Sequence, residues 1–141
     1  MPTLRALLED DAIEGCVGET WGALLAAWQA ARAADPRVRR TLRRIAADEA
    51  RHAALAWEIL RWGAPRLTPA DRRHVRRALD RALRDLAQPE KIPASEAEQR
   101  VAGLPSPAER RRLAGPFTKL VRDGARATVM LARPRAGRPR S

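Results

Sequence analysis

Apolar residues recur at three- and four-residue spacing through most of the chain, and the alternating apolar–polar runs rich in Val, Ile and Thr that mark strands are missing. The pattern predicts an all-α fold. A first helix is expected from Pro2 or Asp11 to Ala34. It stops at Asp35-Pro36, where Pro36 can open a second helix. The second helix should end near Trp62, at Gly63-Ala64-Pro65. A short turn between the two makes them an antiparallel hairpin. Thr68-Pro69-Ala70-Asp71 starts a third helix with Val75, Leu79, Ala82, Leu83 and Leu86 along one side, closed by Gln88-Pro89. Ser95 with Glu98 and Ser106 with Glu109 read as two capping boxes. They start two further helices, the last expected to be interrupted at Gly115-Pro116. This gives an expected organisation of a hairpin (1–64), accessory C-terminal helices (65–131) and a solvated Arg/Pro tail (132–141).

On a wheel of the second helix, Val38, Leu42, Ile45, Ala53, Ala56, Ile59 and Leu60 share one sector, opposite Arg40, Arg43, Arg51 and Glu58. Glu49 and His52 point into that apolar sector. Three residues apart, they lie on one face a turn from each other and can converge on one ion. The first helix is apolar almost all round, with only Asp11, Glu14, Gln29 and Arg32 marking a polar strip, which implies burial against several partners. Ile13, Val17, Trp21, Leu24 and Trp28 line one side. Ala12, Cys16, Ala23, Ala26, Ala27 and Ala30 line the other, with Glu19 among them as the buried candidate. A buried carboxylate must neutralise, pair or bind a metal. An arginine partner with a satisfied core histidine is one explanation. A metal bound by Glu19, Glu49 and His52 is the other, and three ligand-type residues in one hairpin favour it.

With 141 residues and 45% apolar content, the chain suits one domain with a real core. No uncharged run approaches the ~20 residues of a membrane span, and a cytoplasmic location is expected. Cys16 is the only cysteine, so an internal disulfide is excluded, and it reads as a small buried residue. Charge is uneven. Residues 1–35 set Arg5 and Arg32 against six acids, a net of −4 that leaves +15 on the remainder of a chain whose total is +11. His74, with Arg72, Arg73, Arg76 and Arg77, is expected on an exposed basic side of the third helix. Such a balance permits nonspecific nucleic-acid binding through phosphates, and Pro134–Arg140 loosely resembles the AT-hook core, with Ala136 spoiling its tight turn.

The stretch from Glu14 to Trp62, with Glu49-Ala50-Arg51-His52 at its centre, resembles the ferritin-like superfamily. More narrowly, it resembles the second half of bacterioferritin- and rubrerythrin-type four-helix bundles and the ferritin-like proteins found in myxobacteria. In that superfamily two ions are held by a Glu from each of two helices and a Glu-x-x-His from each of the other two. The resemblance implies iron, or manganese, at Glu19, Glu49 and His52, with Glu14 the weaker choice on the first helix. It also implies oxidation of ferrous iron by oxygen or peroxide, a ferroxidase-like oxidoreductase if active. The superfamily's first helix pair is not evident ahead of Glu14, so one chain is expected to own half of the site, and a homodimer related by a two-fold could complete it. A truncated interaction module without metal is the alternative.

Overall fold

The computed structural model describes residues 1–133, and the last eight residues, which hold the AT-hook-like segment and most of the expected tail, lie outside the described part. The described residues form helices and no strand. The first rod is built of α1 (Leu4–Asp10), a π-helical stretch (Asp11–Glu19) and α2 (Thr20–Arg32), joined without a break in helical backbone. It begins at Leu4, where the Thr3 hydroxyl accepts from the Ala6 amide at 3.1 Å. After Asp35, whose carboxylate accepts from the Arg37 amide, α3 runs for 28 residues (Pro36–Gly63). A 3₁₀ turn (Ala64–Arg66) leads to α4 (Pro69–Leu86). Then follow α5 (Glu96–Ala102), α6 (Pro107–Ala125) and a short π turn (Arg126–Met130).

Both capping boxes are present: the Ser95 and Ser106 hydroxyls accept from the amides of Glu98 and Glu109, whose carboxylates accept from the serine amides in return. The interruption expected at Gly115-Pro116 does not occur. Pro116 lacks an amide and leaves one carbonyl a turn earlier unbonded, but Ala114, Phe117 and Val121 are buried on either side of it and carry α6 through. Phe117 meets the Trp21 ring edge-on, with centroids 4.9 Å apart.

The apolar first rod sits at the centre of the molecule. α3 lies along it on one side, and α4, α5 and α6 contact the rod or the core it builds. Leu8, Val17, Trp21, Leu60, Val75, Leu79, Leu83, Phe117, Val121 and Val129 form one continuous core. The rod's need for burial on several sides is therefore met within the chain. Arg72 is a second departure from expectation. It is buried rather than exposed with His74, because it falls beside Val75 and Leu79 on the inner side of α4 and donates to the Ala132 carbonyl. No helix of the described residues is long and apolar enough to cross a membrane.

The two helices of the hairpin approach closely at Gly15, whose backbone meets the Ala56 methyl group: an added Cβ would fall 2.4 Å from the Ala56 Cβ. Gly15→Ala should destabilise the fold by about 1–3 kcal/mol through overpacking. Urea unfolding of the two proteins side by side measures this, and a variant as stable as wild type would show that the helices are free to separate.

Candidate metal centre

The three residues expected to converge do so. One ligand atom each of Glu19, Glu49 and His52 lies within 4.8 Å of the others. Glu19 closes the π-helical stretch, and Glu49 and His52 lie one turn apart on α3. His52 Nδ1 is 3.5 Å from Glu19 Oε2. Gly22, one turn beyond Glu19, lets α3 come close: a Cβ there would stand 3.4 Å from Glu49 Oε2. Two turns along α3, the Trp57 indole N–H donates to the Thr20 hydroxyl at 3.2 Å and ties the two helices beside the site. Spacing within one helix reveals Glu49 and His52. Gly22 and Thr20, which seat them against the neighbouring helix, carry no ligand chemistry and are found only once the helices are docked.

The other first-rod candidates do not join the set. Glu14 is exposed, outside the cluster. Cys16 is fully buried, as expected of a small core residue, and its thiol donates to the Asp11 carboxylate at 3.9 Å. Burial, followed by the nearby Asp11 charge and that hydrogen bond, pushes the thiol pKa upward, which disfavours a thiolate. Asp11 and Cys16 meet because the backbone between them is π-helical, placing residues five apart on one side.

The expected dry surroundings are not found. The His52 side chain is 63% exposed and that of Glu19 34%, and Glu49 is half-buried. The reason is that α4–α6 cover the first rod and leave this edge of α3 bare. Among the described residues neither Glu19 nor Glu49 forms an ion pair with an arginine, so the explanation by guanidinium pairing is absent. The two carboxyl groups instead share a hydrogen bond. That bond, then burial and the Glu19 charge, holds Glu49 above the usual carboxylate range. Two acids and an imidazole form an oxygen and nitrogen donor set of the kind iron takes.

The sequence profile of the family described as p-aminobenzoate N-oxygenase AurF matches residues 16–134, a span that includes Glu19, Glu49 and His52. The chain belongs to the AurF family. AurF proteins are di-iron enzymes of the ferritin-like fold, which places this all-α chain in the ferritin-like superfamily and speaks for iron over manganese. No curated protein and no solved structure matches the chain. The AurF match begins at Cys16, inside the π-helical stretch, and runs through α2, α3 and the helices that follow, so it covers the site and the later helices but not α1.

Desolvation raises the Asp11 carboxyl from 3.8 to about 6, against a smaller downward effect of the Cys16 hydrogen bond. Below about pH 4 the group is neutral folded and unfolded alike. Between there and about pH 6 the folded chain retains a proton that the unfolded chain releases, so stability falls as pH rises through that window. Asp11→Asn should match wild type at pH 4 and exceed it by about 1 kcal/mol at pH 8, a figure reduced for the group's partial exposure. Unfolding curves at the two pH values measure the difference, and equal stability at both would mean that water reaches the carboxyl freely.

Proposed function

We propose that the chain binds iron through Glu19, Glu49 and His52 and that this iron serves an oxidation by dioxygen, with ferrous iron itself as the substrate that the open site admits. The observation that carries the reading is the convergence of these three side chains with no guanidinium to neutralise the two acids. Acids brought this close repel unless they share a proton or a cation, and a ferrous ion would satisfy both carboxylates while His52 supplies a neutral nitrogen. The donors present fit half of a di-iron centre, one Glu and one Glu-x-x-His. When bound, iron supplies the electrons by which oxygen is reduced. The chain's own groups bind and orient it: Glu19 and Glu49 balance charge, and His52 fixes direction from one turn away. N-oxygenation of p-aminobenzoate, the activity by which the family is described, is a second outlet for the same oxidising chemistry. The interior tryptophans are structural, since Trp21 packs on Phe117 and Trp57 bonds Thr20.

Full-length protein loaded with ferrous iron under nitrogen, then desalted, should retain about one iron per chain, as half of a two-ion centre requires. Glu49→Ala and His52→Ala should each lose most of it, and Glu14→Ala should keep it. Elemental analysis decides. Iron-free wild type, or equal iron in all four proteins, would overturn the reading.

A second reading rests on a different surface. Arg73, Arg77, Arg81 and Arg84 are exposed on one side of α4 over about 17 Å, and among the described residues none of them is in an ion pair. Asp80, close by, is taken up by Arg76 and Arg122, each at 3.3 Å. Such a row suits the phosphates of a nucleic-acid strand. Duplex DNA retained at about 50 mM salt should be released by about 200 mM, and exchanging the four arginines for glutamine should abolish retention without changing iron content. Retention unchanged in that variant would remove this reading.

A further inference from the structure

The loop from α4 to α5, the loop from α5 to α6 and the first turns of α6 line a cavity of about 140 Å³. Its walls are mostly apolar: Leu86 closes α4, Pro89 and Pro93 come from the first loop, Pro105 from the second, and Ala114 from α6. Each proline ring fixes a backbone φ angle, so the walls resist closing in on the space between them. The second loop is also held at both ends. At Gly103, which is left-handed, an added Cβ would stand 2.5 Å from the Gln29 carbonyl oxygen, and the Ser106 amide donates to the Glu109 carboxylate at 2.8 Å. An apolar cavity of roughly this size, about 150 Å³, takes a single benzene ring.

A charged group is set into the apolar wall. Arg110, 21% exposed, lines the cavity, and its Nη1 meets Glu90 Oε1 at 2.8 Å. Among the described residues its buried Nε has no acceptor. The guanidinium carbon lies 5.4 Å from the centre of the Trp21 ring. Trp21 is only 7% exposed, and its indole N–H is likewise buried with no acceptor among the described residues. Folded proteins leave few buried donors unmatched, and two in adjoining side chains mark a corner that is short of an acceptor. The corner lies across the first rod from the metal set: Glu19 faces α3, whereas Trp21, two positions on, meets Phe117 of α6.

From these observations we propose that the cavity binds a small monocarboxylate built on one six-membered ring, with the ring among the prolines and Ala114 and the carboxylate on Arg110. Size sets the first half of that ligand, since the space holds one ring and not two. Charge sets the second. Arg110 and Arg111 line the cavity against one acid, Glu90, so the wall is positive on balance. A guanidinium offers its donors in a planar fork, and the edge formed by Nε and Nη2 can hold a carboxylate with two parallel hydrogen bonds. Glu90 takes the Nη1 end and already shows a carboxylate seated on this group. A ligand carboxylate supplies the acceptor that Nε lacks and competes with Glu90 for the rest of the fork. A neutral ring of the same size would fill the space and leave Nε unmatched. The proposal does not rest on the iron-binding reading, because none of Glu19, Glu49 and His52 lines the cavity.

NMR titration of the isotope-labelled full chain with benzoate and with cyclohexanecarboxylate tests the site. Both should bind with a dissociation constant of about 0.1–1 mM, as befits ligands of this size, and should move the Ala114 amide and Trp21 indole signals. Benzyl alcohol, a ring without the charge, should bind at least about 10-fold more weakly, and 2-naphthoate should leave both signals in place. Arg110→Gln should weaken benzoate by about 10-fold or more. Glu90 is exposed on its loop, so Glu90→Gln should fold as wild type does and, with the competing acid removed, tighten benzoate by about 3-fold. Glu49→Gln, altered at the metal set, should bind benzoate as wild type does. No shift of either signal at about 10 mM acid, equal affinity for benzoate and benzyl alcohol, or weaker binding in Glu90→Gln would overturn the proposal. Benzoate binding that Glu49→Gln abolishes would also overturn it, by moving the ligand to the metal set.

Discussion

Two carboxyl groups and an imidazole are held together at the edge of a helical hairpin, where the repulsion between the two acids is relieved by a shared proton, by the neighbouring His52 or by a shared cation. The rest of the molecule is arranged around that constraint. Glu19 must come from one helix and Glu49 with His52 from another, so the two helices have to be docked with their axes close and their rotation fixed. Gly15 against Ala56 sets the closeness, the Trp57 to Thr20 hydrogen bond fixes the pair beside the site, and Gly22 leaves room for the Glu49 carboxylate. α4 and α6 bury the far side of the first rod, and α5 is pinned to its end by the Gln29 bond to the Ala102 carbonyl at 3.1 Å and by the Ala34 amide, which donates to Arg100 at 3.0 Å. They hold it against α3 without contributing a ligand.

Much of this was legible in the sequence wherever the physics is local. Capping at Ser95 and Ser106, the stop at Gly63 and the start at Pro36 each depend on a few neighbouring atoms, and they appear where the residues imply. Glu49 and His52 were legible for the same reason, since their convergence needs only helical spacing. Glu19 could be selected over Glu14 because it lay among small residues that permit close approach. What was not legible depended on tertiary context. Pro116 reads as a break, and only the burial of Phe117 and Val121 carries the helix through it. Arg72 reads as one more exposed arginine in a basic run until the C-terminal segment passes over it.

The largest difference concerns which surface is left bare. An apolar first helix implies burial against several partners, which the later helices of the chain supply, and the bare surface is instead the outer edge of α3. The difference has a physical origin. A helical wheel says which residues want cover and not which neighbour supplies it, and α3 has apolar residues on more of its circumference than a single neighbouring helix can bury. The same reasoning explains why His52, placed by its wheel position in an apolar sector, is open in the single chain.

The π-helical stretch immediately before Glu19 also bears on how such a site can be kept or lost. Each added or removed residue in an α-helix turns everything beyond it by about 100°. The wide turns between Asp11 and Glu19 absorb that rotation, so the glutamate faces α3 while Ala12 and Cys16 still face the core. Shortening this segment by one residue would preserve every donor in the chain and yet aim one of them elsewhere. The site is thus encoded as much in a count of backbone units as in the identity of its side chains, and a relative with all three ligand residues but a different count there would hold them out of reach of a common ion.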